Sequence, residues 1–354
     1  MLDTLTIDVQ PVTASRLTAL DPANMEFGKL FADHMLSVEY TGGEWQQPRI
    51  VPYGPLAISP ANSAIHYGQA IFEGMKAYRQ ADGSVALFRP LDNWRRLNAS
   101  AERMAMPTIP EDIFMQGLRE LVKLDAGWVP NMSGSSLYIR PFMFATDGAL
   151  GVRPSETYHF GIITCPVAAF FTKPVRVRFE QQYVRAAPGG AGYAKNAGNY
   201  GAAMLPSKLA QQEGYHQLIW TDASEHQYVE ESGAMNVMFV LDGKLVTPGL
   251  STSILDGITR RSVLELARTW GVPVEERRVS SREIIEGLAA GRLTEAFGVG
   301  TAATIATIAT MGYEGQDYDL PAPTESSFAR RVGAALEAIR TGNAADAHNW
   351  MVAV

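Results

Sequence analysis

Residues 189–201 read GGAGYAKNAGNYG, with Lys195 as the one cationic residue among five glycines. Glycine opens backbone conformations closed to other residues and lets chain approach chain. A lysine drawn out of water loses part of its preference for the charged form, which frees its amine to act as a nucleophile. Condensation with an aldehyde needs such an amine. A glycine-rich loop with a solvated lysine fits the same stretch, and spacing alone leaves both readings open.

Other stretches could hold anions. FGVGTAA at 297–303 follows an expected strand and nearly fits the dinucleotide fingerprint, which would make the protein an NAD-dependent oxidoreductase using residues 298–303. That fingerprint needs an amphipathic helix behind its glycines to aim an N-terminus at the pyrophosphate. Here the glycines run into TAATIATIAT, a β-branched run without a helical stripe, and little chain is left for a nucleotide-binding half. Such a turn can still offer N–H groups to a phosphate or carboxylate. Asp256-Gly257-Ile258-Thr259 is a second candidate, because the first N–H groups of a helix lack partners within it and its dipole favours negative charge. An ordinary capped helix fits there too. VEESGAMN at 229–236 sets Glu230 and Glu231 before a strand, where a carboxylate could meet a cationic ring nitrogen or lie in a solvated turn. No two of the six histidines fall at metal-ligand spacing, so no metal site is expected.

The elements that must position these residues are partly legible. Leu91, Trp94, Leu97, Ala101 and Met104 recur at helical spacing, and 111–124 carries Phe114, Leu118, Leu121 and Val122 on one face. Strands are expected at 84–88, 136–140, 158–164, 175–179, 215–220, 235–241 and 294–299. Asp242-Gly243 predicts a tight hairpin into a strand at 244–247. Helices are expected at 258–270, from a Ser280/Glu283 capping box towards Gly291, and around Phe328, Val332, Leu336 and Ile339. Strands outnumber helices and do not alternate regularly with them, which favours α+β over a doubly wound parallel sheet. PVAAFFTKP at 166–174 is bracketed by prolines and lacks periodicity, which suggests a domain boundary. The division expected is a small α+β domain at 1–165, a linker at 166–178 and a larger α+β domain at 179–354 carrying Lys195.

A chain of 354 residues, 46% hydrophobic and 19% charged, suits about two globular domains. The net charge of −7 argues against nucleic acid or an anionic membrane as the main partner. Cys165 is the only cysteine, which excludes an intramolecular disulfide and points to a reducing, cytoplasmic setting. No secretory signal and no membrane-spanning stretch are expected.

Together these stretches resemble the branched-chain amino-acid aminotransferases, of the pyridoxal-phosphate fold type IV shared with D-amino-acid aminotransferase and aminodeoxychorismate lyase. The likeness runs from FGKLFADHMLSVEY through HYGQAIFEGMKAYR, LFRPLDNWRRL, SLYIRPF and the Lys195 stretch. It continues through EESGAMNVMFV, LDGITRRSVLELA and FGVGTAA to AHNWMVAV. It implies two α+β domains with pyridoxal 5'-phosphate (PLP) between them. The amino group would pass between L-leucine, L-isoleucine or L-valine and 2-oxoglutarate through a Lys195 Schiff base. The D-amino-acid aminotransferase and the lyase remain alternatives of the same fold type.

The resemblance also implies roles. Glu231 would pair with the pyridine nitrogen, with Glu230 as the neighbouring carboxylate, and Tyr200 would donate to the ring hydroxyl. Arg96 would bind the phosphate with Thr301 and the N–H groups of Ile258 and Thr259. The substrate carboxylate would meet N–H groups at Thr301 and Ala302, aided by Tyr67. Phe27, Phe72 and Tyr138 would line the aliphatic pocket, with Leu150 and Val152 supplied by a second subunit of a homodimer. Arg140 would meet the γ-carboxylate of glutamate. Ala303 and Ala306 stand where a relative has a redox-active cysteine pair, so that switch is excluded. Ala234 replaces a threonine of some relatives.

Overall fold

The computed structural model describes residues 5–22, 24–168 and 173–354. The chain divides into two compact units, the first comprising Met1–Phe170, Ala194–Ala197 and Glu337–Val354, the second Phe171–Tyr193 and Gly198–Leu336.

The first unit is built on a ten-stranded sheet. Its strands are β1 (Asp8–Val9), β2 (His34–Thr41), β3 (Glu44–Trp45), β4 (Arg49–Pro52), β5 (Ala70–Phe72), β6 (Met75–Arg79), β7 (Val85–Phe88), β8 (Ser136–Ala145), β9 (Tyr158–Val167) and, from the end of the chain, β19 (Met351–Ala353). The main order is β1-β4-β2-β9-β8-β6-β7-β19, with β3 on β2 and β5 on β8. All pairings are antiparallel except β1 with β4. The short helix α1 (Ser63–Tyr67) precedes β5. Helices α2 (Pro90–Arg103) and α3 (Glu111–Leu124) match the periodicity read from the sequence. Leu97 and Ala101 of α2 join Ile113, Phe114, Leu118, Leu121 and Val122 of α3 in one core with Leu36, Ile139 and Phe160 of the sheet.

The second unit carries a nine-stranded mixed sheet. Its strands are β10 (Val175–Glu180), β11 (Gln217–Thr221), β12 (Val229–Ser232), β13 (Asn236–Leu241), β14 (Lys244–Thr247), β15 (Val274–Glu276), β16 (Leu293–Gly300), β17 (Thr304–Tyr313) and β18 (Gln316–Asp319). They run in the order β12-β11-β10-β17-β16-β13-β14-β15, with β18 on β17. The expected hairpin is present: Asp242 and Gly243 both have positive φ, 51° and 72°, the geometry that Asp-Gly supplies at low cost. The helices are α4 (Ala197–Gly201), α5 (Met204–Gln212), α6 (Ile258–Thr269), α7 (Ser281–Ala289) and α8 (Phe328–Arg340), of which Ala197 and the last turn of α8 from Glu337 fall in the first unit. Ser280 caps α7 by accepting from Glu283 N at 3.0 Å, while the Glu283 carboxylate turns to Arg277.

Two expectations change. The linker expected at 166–178 overlaps two strands, because β9 runs through Pro166 and Val167 and β10 starts at Val175. Residues 169–172 lie outside those described. Proline is tolerated at 166 because β2 pairs with β9 only as far as Ile162. The Lys195 segment belongs with the first unit, not with the C-terminal one. Phe72 N–H donates to Lys195 O at 3.0 Å, and Ile71 bridges Asn196. As the β-branched run behind them predicts, the glycines of 298–303 lead into strand β17 and not into a helix. The oxidoreductase alternative therefore loses the helix N-terminus that it requires.

Candidate active site

The candidate residues fall in both units. In the first, α2 presents Asn93, Arg96 and Ser100 at spacings of three and four, which places them along one face of the helix. Lys195 is held against that face by its backbone: its N–H donates to Ser100 Oγ at 2.9 Å, and Ser100 donates to Arg96 O at 3.0 Å. The Lys195 Nζ lies 4.8 Å from the centre of the Phe72 ring. Arg140 Cζ lies 4.7 Å from the same ring, and Arg140 Nη2 donates to Tyr138 Oη at 3.0 Å. Phe27 meets Tyr138 edge-on, with ring centroids 4.8 Å apart. A Cβ on Gly74 would fall 2.2 Å from Tyr138 Oη, so glycine is what lets this hydroxyl approach the backbone. Arg140 Nε is buried and has no acceptor among the described residues.

Glu73 was not singled out from the sequence, yet it binds both Arg96 and Asn93 of the α2 face. It is fully buried, and it accepts from Arg96 Nε at 2.6 Å and from Arg96 Nη2 at 2.8 Å. Asn93 Nδ2 donates to the same carboxylate at 2.7 Å. Burial works to raise its pKa, but the charge and hydrogen bonds of Arg96, with the Lys195 charge and the Asn93 bond, outweigh it and hold the carboxyl below its usual value. A guanidinium has five donors, and Glu73 occupies two of those of Arg96.

In the second unit, β12 sets Glu231 opposite Trp220 of β11. Glu231 Oε1 accepts from Leu255 N at 2.7 Å and lies 3.3 Å from Arg185 Nη2. Glu231, Arg185, Tyr200, Trp220 and Ala234 line a cavity of about 310 Å³. Side chains alternate along a strand, which separates the adjacent Glu230 from this cavity lining. Glu230 Oε1 accepts from Ser253 Oγ, and its Oε2 is buried without a partner among the described residues. Burial, together with the charges of Glu231 and Asp222, pushes its pKa up to about 7 against the opposing pull of Ser253 and Arg185.

The two expected anion turns also fall in this unit. Ile258 and Thr259 open α6 behind Gly257, where a Cβ would meet Asn236 Oδ1 at 1.9 Å. Thr301 and Ala302 form the turn between β16 and β17. Arg185 and Ser253 were also missed in the sequence, since neither belongs to a motif and both act through partners distant in the chain.

The sequence profile of the class IV amino-transferases matches residues 70–310. The chain belongs to this family. Branched-chain-amino-acid transaminase 1 of Bacillus subtilis (strain 168) is 45% identical over 339 residues, which cover 94% of this chain and 95% of the relative. The branched-chain amino acid aminotransferase of Escherichia coli superposes with a TM-score of 0.71 at 25% identity, covering 90% of this chain and 98% of that one. The branched-chain aminotransferase of Thermoproteus uzoniensis shares the fold, with a TM-score of 0.76 at 23% identity, covering 90% and 99% of the two chains.

In this class IV aminotransferase the structure gathers Lys195, Phe72, Arg140, Tyr138 and Phe27 in the first unit, and Glu231 and Tyr200 around one cavity in the second. Tyr67, Leu150 and Val152 stand on the surface of the first unit, Val152 being 92% exposed. Tyr67 Oη accepts from Gly151 N at 3.2 Å, which ties this tyrosine to the Leu150–Val152 loop.

Proposed function

We propose that the chain is a PLP-dependent branched-chain amino-acid aminotransferase, exchanging the amino group between leucine, isoleucine or valine and 2-oxoglutarate. The observation that carries the reading is the 45% identity to a branched-chain transaminase along almost the whole of both chains. The residues present fit the cofactor: a carboxylate engaged by Arg185 and a backbone N–H shares a cavity with a tyrosine hydroxyl. When bound, PLP supplies an aldehyde for amines and a ring that accepts electrons from the substrate's Cα.

The residue roles are those that the likeness to the family implies. Lys195 would supply the amine that holds the cofactor aldehyde, and its freed Nζ would move the proton between the substrate Cα and the cofactor C4'. Glu231 would keep a proton on the ring nitrogen, and Tyr200 would donate to the ring oxygen. Arg96, Thr301 and the N–H groups of Ile258 and Thr259 would hold the phosphate, as the likeness to the family implies. N–H groups at Thr301 and Ala302, with Tyr67, receive the substrate α-carboxylate. Phe27, Phe72 and Tyr138 surround the aliphatic side chain. Arg140 would receive the γ-carboxylate of glutamate, for which its Nε, without an acceptor among the described residues, is a ready donor.

Leu150 and Val152 would complete the site of a second copy in a homodimer. The buried thiol of Cys165 accords with a reducing, cytoplasmic setting. The partners are then the branched-chain amino acids, their 2-oxo acids, glutamate and 2-oxoglutarate.

Borohydride reduction of the PLP-loaded protein followed by peptide mapping tests this reading. A pyridoxyl group on Lys195 and turnover of L-leucine with 2-oxoglutarate are expected, with turnover falling about 10⁴-fold in Lys195→Ala. Turnover of D-alanine without L-leucine, or pyruvate release without an oxo-acid acceptor, would transfer the chain to one of the sister activities.

A further inference from the structure

We infer that Glu73 is a positioning residue that fixes the Arg96 guanidinium and ties it to the backbone frame that carries Lys195. This rests on the proposed reading of Arg96 as a phosphate ligand. Both oxygens of the buried carboxylate are engaged: Oε1 by Arg96 Nε at 2.6 Å, and Oε2 by Arg96 Nη2 at 2.8 Å, Asn93 Nδ2 at 2.7 Å and Gly74 N at 3.1 Å. Two parallel bonds fix the plane of a guanidinium as well as its position. Asn93 adds a second anchor, because its Nδ2 also donates to Gly74 O at 3.1 Å.

The same strand end holds the lysine. Phe72, the residue before Glu73, donates its N–H to Lys195 O at 3.0 Å. Lys195 N donates to Ser100 Oγ at 2.9 Å, and Ser100 returns to Arg96 O at 3.0 Å. A closed circuit therefore runs Glu73, Arg96, Ser100, Lys195, Phe72 and back to Glu73, each link a hydrogen bond or the chain itself. A buried ion pair is a poor source of net stability, since apolar side chains of similar volume commonly do as well. What this pair delivers is orientation. Arg96 is aimed by the residue adjacent to the one that receives Lys195, so the anion-binding group and the reacting amine share one frame.

The test uses the full-length apo chain with two ligands, PLP and phosphate-free pyridoxal, binding being read as the borohydride-fixed tag on Lys195. In Glu73→Gln, which keeps the shape and removes the charge, the preference for PLP over pyridoxal should fall by about ten-fold or more. In Arg96→Ala the preference should collapse, and adding Glu73→Gln to it should change the ratio by less than about two-fold. If Glu73→Gln keeps the native ratio while Arg96→Ala loses it, the inference is overturned and the Arg96 reading stands. Equal weakening of both ligands in Glu73→Gln marks a merely structural role and also overturns it. A native ratio in Arg96→Ala removes the Arg96 reading itself, and the inference with it. Should Glu73→Gln fail to fold, Asn93→Ala loosens the same carboxylate and must lower the ratio in the same direction; an unchanged ratio there counts against the inference.

Discussion

Arg140 lies between Phe72 and Tyr138, its Cζ 4.7 and 5.3 Å from the two ring centres. Aromatic faces receive an aliphatic side chain, and a cation resting on them stays available for a carboxylate. Arg140→Met keeps the bulk and removes the charge. We expect kcat/KM for glutamate to fall by about 10- to 100-fold, the worth of one charge-assisted hydrogen bond, while that for leucine stays within a few-fold. Steady-state kinetics with both amino acids measures it, and equal losses for the two would refute the role. Glu230 offers a test of protonation. Its pKa rises from 4.5 to about 7 on folding, chiefly through burial. Its favourable contribution is therefore complete below about pH 4.5 and is lost as the pH rises through about 7. Glu230→Gln should remove that slope, so that the apo variant gains about 1 kcal/mol over the wild type at pH 8 and nothing at pH 4. Denaturant unfolding at the two pH values reads this, and a wild-type slope in the variant would contradict it.

At the scale of elements, the helical face of α2 does two jobs. Leu97 and Ala101 seal it to the core, and Asn93, Arg96 and Ser100 stand on the adjoining stripe. The apolar rows were legible because core burial imposes a period on the sequence. The polar stripe was not, because its partners Glu73 and Lys195 come from β5's end and from a segment about a hundred residues on. Strand β6 carries a second buried cation. Lys76 is 6% exposed, and burial, aided by the Arg340 charge and opposed by Glu337, lowers its pKa to about 7. The folded chain thus sheds this proton more readily than the unfolded one. Its cost to stability is full below about pH 7 and is relieved as the pH climbs towards 10.5. Lys76→Met should stabilise the protein at pH 6 by about 1–4 kcal/mol, with the gain shrinking by pH 10. Thermal unfolding across that range measures the trend, and a gain independent of pH would contradict the assignment.

At the scale of the whole molecule, the first unit exposes apolar side chains in two segments, 56–65 and 150–152. Leu56, Ile58, Ile65, Leu150 and Val152 are all exposed, Leu150 by 66% and Val152 by 92%. Patches of this kind commonly meet a partner. Sedimentation should show a particle of twice 38.5 kDa, and Val152→Asp should weaken that association by about ten-fold or more, with activity falling as the dimer dissociates. A fully active monomer would rule it out. The sequence by itself determined the long helices, the Asp-Gly hairpin, the α+β class and the family, since these depend on local periodicity, turn chemistry and long ordered motifs. Only the tertiary structure decided that Lys195 clusters with the first unit, that Glu73 grips Arg96, and that Glu231 and not Glu230 lines the Tyr200 cavity. Those outcomes depend on strand pairing and side-chain contacts between residues far apart in the chain, for which no local pattern of residues carries a signal.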